Sequence, residues 1–210
     1  MSQGELFIWT DVEPTYEAEF NKWYDDEHME ERAAIPGFNW SRRYRSTHGS
    51  RPYLALYRTQ SLDTFTSTEY QKIFENQTAW SLKSYERRCN TTRRVMAVHP
   101  LYGTGTGSAL GLLTLPDQQS ADKAVELAVT VGSQPGVISL RMLTPDPKLS
   151  TPLPSENAKT RTLNSVLVLE CTTQASATQA VRELAYQLNL PLEHTQVFEL
   201  LWELRSADLT

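Results

Sequence analysis

The order of the predicted elements occurs twice along the 210 residues, and this recurrence limits the fold more than any other feature of the sequence. In the first half, apolar alternation predicts four strands, at 4–10, 38–47, 53–59 and 93–101. In the second half it predicts four more, at 108–115, 137–143, 164–170 and 196–204. A helical segment follows the first and third strand of each half, and a Pro-Gly turn ends the first helix at Pro36-Gly37 and again at Pro135-Gly136. Recurrence of both the order and the turn indicates a duplication.

Each half has the pattern of a four-stranded antiparallel sheet with two helices on one face, the ferredoxin-like βαββαβ arrangement. The other face of such a sheet is apolar and needs a cover. We therefore expect an α+β protein with two tandem ferredoxin-like units, residues 1–102 and 108–210, packed sheet to sheet as an intrachain dimeric α/β barrel. The glycine-rich run 103–107 is expected to be a flexible linker, because a strand and not a helix follows it, which excludes a phosphate-binding loop.

Composition narrows the class of protein. The net charge is −5 and basic residues are dispersed, so we expect no nucleic-acid partner. No apolar stretch approaches the roughly 18 residues of a membrane span, and no signal peptide precedes the first strand, so we expect a cytoplasmic protein with no membrane partner. Cys89 and Cys171 lack metal-binding spacing and are expected to be free thiols.

Aromatic residues are concentrated in the first half. Seventeen of the twenty lie before the 103–107 run, and only Tyr186, Phe198 and Trp202 lie after it. Large, stiff, amphipathic side chains favour the walls of ligand pockets. The first half should therefore hold a small-molecule site, and the second half should be a degenerate copy that completes the fold.

The first helix carries ionisable groups on the face that it should bury. At about 100° per residue, one face collects aromatic and ionisable residues alike, namely Phe20, Trp23, Tyr24, Glu27, His28 and Glu31. An unpaired buried charge costs several kcal/mol, so a helix that only fills a core would carry aliphatic residues here. The pattern indicates a site.

Helical spacing suggests which of these groups can act together. His28 can contact Tyr24 or Glu31, and a histidine held by a phenol or a carboxylate can exchange protons near neutral pH. Burial would also raise the pKa of Glu27. The alternative is that His28 packs near the helix end, with Glu27 and Glu31 in water. Residues Asp25 to His28 point in different directions and no HExxH motif is present, so we expect no metal site.

The predicted second strand supplies candidate substrate contacts. By alternation, Phe38, Trp40 and Arg42 share one face of the strand and Arg43 lies on the other. The guanidinium of arginine can donate two parallel hydrogen bonds to a carboxylate, so Arg42 and Arg43 could bind an anionic ligand. The alternative is that they pair with acidic neighbours. The aromatic walls of the substrate pocket are expected to be formed by Trp23, Trp40 and Tyr57.

The segment EFNKWYDDEHMEERAAIPGFNWSRRYR, followed by PYLALYR, resembles the N-terminal part of the dimeric α/β-barrel superfamily near its EthD-like group. In that group a helix ending in a Glu-His pair leads to a Pro-Gly-Phe turn and an Arg-rich strand. The resemblance covers about the first 60 residues and implies a cleft between helices and sheet, lined or bordered by His28, Tyr24 and Arg43. The superfamily includes cofactor-free monooxygenases, lactone isomerases and haem-degrading enzymes, so the resemblance implies fold more strongly than reaction.

Three functional hypotheses follow. The first is a cofactor-independent isomerase, lyase or monooxygenase that acts on a small cyclic or aromatic metabolite, with His28 as general acid and base. The second is a binding or carrier protein for a small apolar ligand or haem in the same pocket. The third is a structural module without a small ligand. For the enzyme we expect no cofactor, and two chains could also pair as a homodimer.

Overall fold

The computed structural model describes residues 2–46, 48–49 and 51–209. Thr47, at the end of the predicted second strand, and the outermost residues of the two predicted units, Met1 and Thr210, lie outside these ranges. The described strands form one closed antiparallel barrel. They are β1 (Gly4–Val12), β2 (Phe38–Arg45), β3 (Tyr53–Thr59), β4 (Arg88–Gly103), β5 (Ala109–Leu115), β6 (Val137–Pro145), β7 (Ser165–Cys171) and β8 (Thr195–Arg205).

The order around the barrel is β1-β3-β2-β8-β5-β7-β6-β4, with β4 returning to β1. The first four strands of the chain are therefore adjacent in the barrel, as are the last four. Two seams join the halves, since β2 pairs with β8 and β4 pairs with β6. Closure leaves no unpaired edge among the eight described strands.

Helices cover the outside of the barrel. In the first half, α1 (Glu17–Trp23) continues through a π-helical turn (Tyr24–His28) into α2 (Met29–Ala33), and α3 (Thr68–Glu75) and α4 (Ala79–Glu86) follow β3. In the second half, α5 (Gln118–Gly132) follows β5 and α6 (Gln174–Gln187) follows β7. No helix of the described residues is both long and apolar enough to cross a membrane.

Alternation along the strands divides the apolar residues between the barrel interior and the helix layers. In β3, Leu54 and Leu56 point into the barrel while Tyr53 and Tyr57 pack under the first-half helices, as the sequence pattern predicts. In β2 the predicted shared face is wrong at its start. A bulge between Phe38 and Trp40 shifts the register, so Phe38 packs on the helix side while Trp40 packs against the barrel interior.

A chain of ion pairs crosses one end of the barrel and joins the two halves. Glu5 and Glu170 are both fully buried, and the guanidinium of Arg141 donates to both, at 3.1 and 2.9 Å. Arg58 also binds Glu5, and Arg42 binds Glu170 and Glu203. Burial alone would raise the pKa of Glu5, but Arg141 and Arg58 hold that pKa below its ordinary value.

The glycine-rich connection between the halves is packed against this network and is not a free linker. The backbone N–H of Gly107 donates to Glu170 at 3.1 Å, and the hydroxyl of Thr106 accepts from Arg42. A Cβ atom at Gly107 would lie 2.0 Å from the carbonyl oxygen of Cys171, so only glycine fits there. The expectation of a flexible linker over 103–107 was therefore wrong.

Loss of the Arg141 guanidinium, which binds both buried glutamates, should destabilise the whole barrel. We expect Arg141→Met to lower the free energy of unfolding by about 3–5 kcal/mol, because it leaves Glu5 and Glu170 buried and incompletely paired. Guanidinium chloride unfolding measures the change. Arg182→Met on the exposed face of α6 is the matched control and should stay within about 0.5 kcal/mol of wild type. A loss below about 1 kcal/mol for Arg141→Met would show that the network does not join the halves.

Candidate functional site

A π-helical turn in the first helix places His28. The backbone N–H of Met29 bonds to the carbonyl of Tyr24, five residues earlier, where a regular α-helix would use a residue four earlier. The wider turn brings residues five apart onto one line, so the imidazole of His28 stacks on the indole of Trp23 with ring centres 4.1 Å apart. π-Turns occur frequently at functional sites, because they re-aim a side chain within an otherwise regular helix.

The imidazole of His28 is enclosed by aromatic rings, with only 4% of the residue exposed. Besides Trp23 below it, it makes edge contacts with three phenol rings, those of Tyr24 at 5.1 Å, Tyr85 at 6.0 Å and Tyr57 at 6.1 Å. These rings come from the helix itself, from α4 and from β3. The site therefore forms only when the helix layer packs on the sheet.

Burial and nearby positive charges keep the imidazole of His28 neutral. Burial, followed by the positive charges of Arg32 and Arg88, lowers the pKa of His28 well below its ordinary value. Its Nδ1 lies 3.2 Å from a carboxylate oxygen of Glu31, but both atoms are buried without the alignment of a hydrogen bond. Burial raises the pKa of Glu31. A neutral imidazole can accept a proton, and the adjacent carboxylate can then stabilise the cation.

A cavity of about 320 Å³ opens beside His28, between the helix layer and strands β1 and β4. Its apolar walls are Leu6 and Ile8 on the sheet and Phe74 on α3. Leu153 and Pro154, from the long loop of the second half, close another side. This volume lies at the lower end of the range for small-molecule pockets, which suits a ligand of about two or three rings.

The polar lining of the cavity has unused hydrogen-bonding capacity. Among the described residues, four side chains of the lining have a buried polar atom without a hydrogen-bond partner, namely His28 Nδ1, Arg32 Nη1, Tyr57 Oη and Arg88 Nε. Such atoms are rare in folded proteins, so the side chains around this cavity form a polar cluster whose hydrogen bonding is incomplete.

The predicted helix residues lie near this cavity with different roles. Trp23 and Tyr24 are fully buried and support the imidazole from below and from the side. Glu31 reaches the imidazole directly. The carboxylate of Glu27 turns toward α4, where it accepts hydrogen bonds from Thr78 at 2.7 Å and from the indole N–H of Trp23 at 3.2 Å. Glu27 thus ties two helices together and does not line the cavity.

The predicted strand residues divide between three places. Tyr57 lines the cavity. Arg43 is buried beneath the helix, over the ring of Tyr24 at 4.2 Å and hydrogen-bonded to Asn21 at 2.5 Å, and it does not line the cavity. Trp40 and Arg42 lie at the barrel mouth, where the guanidinium stacks on the indole at 3.9 Å. The structure therefore does not bring Trp40 and Arg42 together with His28.

Among the ionisable residues of the lining, sequence reasoning missed four, Arg32, Tyr85, Arg88 and Arg93. Arg32 could have been found, because it lies one helical turn after His28. The other three come from α4 and β4, and only the fold brings them to the helix. The loop residues Leu153 and Pro154 carried no signal, because they lie in the half that lacks the site.

No group of three or more His, Cys, Asp or Glu side chains among the described residues is arranged to hold a metal ion. The lining does not fit a tetrapyrrole either. One face of the His28 ring is covered by Trp23, and a cavity of about 320 Å³ with phenol rings around the imidazole leaves room for a much smaller ligand.

The architecture defines the class of protein, since a closed eight-stranded antiparallel barrel with helices outside is the dimeric α/β-barrel fold that the sequence resemblance predicts. An anthrone oxidase-like protein matches 100% of this chain and 95% of its own, with TM-score 0.66 and 11% identity. A proposed monooxygenase from Fusobacterium nucleatum has TM-score 0.61 and 9% identity, over 97% of this chain and 94% of its own. A heme-binding protein from Thermus thermophilus has TM-score 0.52 and 10% identity, over 96% and 92%.

The structural similarity establishes the fold, and sequence identities this low leave the reaction open. No family model matches the chain, and no curated protein matches it in sequence. The function must therefore be argued from the site.

The neutral state of His28 should make stability depend on pH. Since folding lowers its pKa below the ordinary value of 6.5, the unfolded chain binds a proton more readily, and stability falls as pH drops below about 6.5. We expect up to about 1.4 kcal/mol per pH unit from this group. Urea unfolding of wild type and His28→Gln at pH 7.5 and 5.5 measures it.

Glu31 contributes with the opposite sign, because its raised pKa favours proton binding by the folded state, so the difference between the two proteins isolates the histidine. Equal pH dependence in both would contradict a neutral His28.

Proposed function

We propose that the chain is a cofactor-independent enzyme, an isomerase, lyase or monooxygenase, that acts on a small cyclic or aromatic metabolite. The observation that carries the proposal is a buried neutral imidazole, with its Nδ1 3.2 Å from the carboxylate of Glu31, in the lining of a cavity of about 320 Å³. The fold shared with an anthrone oxidase-like protein and a proposed monooxygenase is compatible with it, but carries no further weight.

In this proposal His28 abstracts a proton from the bound ring compound. An isomerase returns this proton to another atom of the ring compound, and in a lyase the anion expels a leaving group. In a monooxygenase the anion reacts with dioxygen, which is the oxidant, so that one oxygen atom enters the ring compound and the other leaves as water. Glu31, 3.2 Å from Nδ1, would align with the ring as it becomes charged and stabilise the imidazolium. Trp23 fixes the plane of the imidazole by stacking, and Tyr57, with its phenol hydroxyl, belongs to the cavity lining. Burial raises the pKa of Tyr57 well above its ordinary value, so this hydroxyl remains a donor.

A small-ligand carrier is the second candidate. Its support is the wall formed by Leu153 and Pro154, which partly closes the cavity and would help to retain a ligand. Haem binding is disfavoured by the size of the cavity, and a purely structural role is disfavoured by its unbonded polar lining. Enzyme and carrier differ in turnover, which the experiment below measures.

We also propose that residues 1–102 and 108–210 are two ferredoxin-like units of one duplicated ancestor. Two observations support this. The strand order β4-β1-β3-β2 in the first half corresponds to β8-β5-β7-β6 in the second. Gly37 and Gly136, which follow the repeated prolines, both have left-handed backbone conformations, with φ of 92° and 83°.

Proton abstraction can be tested before the natural substrate is known. Ring ketones, ring lactones and phenols are incubated with the protein in D₂O, and exchange of carbon-bound hydrogen for deuterium is followed by NMR, with oxygen uptake recorded in parallel. We expect wild type to accelerate exchange in at least one compound. His28→Gln should lower kcat/KM for that compound by about 10²–10⁴-fold, the usual contribution of a general base.

The matched control is His99→Gln, because His99 is exposed on β4. It should stay within about threefold of wild type. If wild type binds compounds but exchanges and transforms none, the carrier is favoured. If His28→Gln retains activity within about threefold, His28 is not the base.

A further inference from the structure

We propose that the substrate of the His28 cavity is a ring-bearing carboxylate, anionic before any chemistry occurs, and that Arg32 and Arg88 bind its carboxylate. This inference rests on the proposed function in that it takes the cavity as the substrate site. It adds the charge of the substrate and the residues that select for it.

The guanidinium of Arg88 has no acidic partner among the described residues. Arg88 lines the cavity from the start of β4. Its Nε is buried without a hydrogen-bond partner, and its guanidinium lies 4.3 Å above the ring of Tyr85. A guanidinium carries five donors and no acceptor, so stacking on a ring leaves its hydrogen-bonding capacity unused. Burial lowers the pKa of Arg88, as expected where no carboxylate offsets it.

The guanidinium of Arg32 is also incompletely hydrogen-bonded. Arg32 is buried with 3% exposure, one helical turn beyond His28. One terminal nitrogen, Nη2, donates to the hydroxyl of Tyr85 at 3.0 Å and lies 3.9 Å from Glu31, while Nη1 is buried without a partner. Tyr85 thus connects the two guanidiniums, since it is hydrogen-bonded to Arg32 and covered by Arg88.

The charge balance of the cavity points to an anion. Its lining contains three guanidiniums, of Arg32, Arg88 and Arg93, and Glu31 is the one described carboxylate in ion-pair distance of any of them. Arg93 uses its donors on neutral groups, the hydroxyl of Tyr70 and the carbonyl of Leu149. An uncompensated buried cation costs several kcal/mol, and a ligand carboxylate would supply the missing charge.

In the barrel interior the buried arginines are paired with carboxylates. There three arginines face three glutamates, namely Arg42, Arg58 and Arg141 with Glu5, Glu170 and Glu203. The lining beside His28 differs from the barrel interior, since Arg88 and Arg93 there have no carboxylate partner among the described residues.

The rest of the lining identifies the rest of the ligand. Apolar and aromatic side chains, including Ile8, Phe74 and Pro154, form walls suited to a flat ring and not to a polyanion such as inorganic phosphate. The planar fork of a guanidinium matches the two oxygens of a carboxylate. A ring with one carboxylate satisfies both parts of the site.

Binding by wild type gives the first test. The probes are 2-naphthoate and 2-naphthamide, which share shape and ring and differ in charge, and isothermal titration calorimetry measures both affinities. We expect the carboxylate to bind at least about tenfold more tightly, because hydrogen bonds to a charged group contribute about 1.5–3 kcal/mol, and 1.4 kcal/mol is a factor of ten. Equal affinity, tighter binding of the amide, or binding of neither overturns the proposal.

Single substitutions give the second test. Arg88→Gln and Arg32→Gln should each weaken 2-naphthoate by at least about tenfold and change 2-naphthamide by less than about threefold. Arg87→Gln is the matched control, since Arg87 adjoins Arg88 in sequence but stacks on Tyr16 and pairs with Glu13. It should leave both affinities unchanged. Circular dichroism confirms folding of each variant, and equal losses for both probes would overturn the assignment to charge.

The outcome separates this proposal from the proposed function. If the carboxylate is selected through Arg88 while His28→Gln leaves turnover intact, the anion site stands and the general base fails. If His28 is essential for turnover and the amide binds as well as the carboxylate, the base stands and the anion site fails.

Discussion

The buried ion pairs at the barrel mouth hold the two halves of the chain in one arrangement. Arg141 from the second half donates to Glu5 of the first, and Arg42 of the first donates to Glu170 of the second. Two fully buried carboxylates can exist there only if every partner is in place, since desolvation of each ion costs several kcal/mol. The network therefore constrains the β2–β8 and β4–β6 seams together. A shift of one half relative to the other would leave a buried charge without its partner.

The same chain treats buried charge in two ways, and the contrast separates structure from function. Inside the barrel each carboxylate meets a guanidinium, and the connection through Gly107 supplies a further donor. Beside His28, Arg88 pairs with no carboxylate of residues 2–46, 48–49 and 51–209, and burial keeps the imidazole neutral. Matched charges give a rigid scaffold, whereas unmatched ones lower stability and raise the affinity for a ligand that completes them.

Local patterns in the sequence predicted the strands, the duplicated order and the inward face of the first helix. They predicted less where geometry departs from the regular period, because the bulge before Trp40 and the π-turn at Tyr24–His28 each add a residue that no propensity marks. Residues that meet only through the fold were also missed. Arg88 looks like any charged residue at a strand start, and its place beside His28 depends on β4 pairing with β1 and on α4 covering it.

The loop that carries Leu153 and Pro154 belongs to one half of the molecule and closes a cavity in the other. It is anchored on β4, where Ser150 exchanges hydrogen bonds with the backbone of Val95. The second half of the chain thus supplies part of the wall of a cavity whose other lining residues belong to the first half. An isolated first half would lack Leu153 and Pro154, and its cavity would be open to solvent on that side.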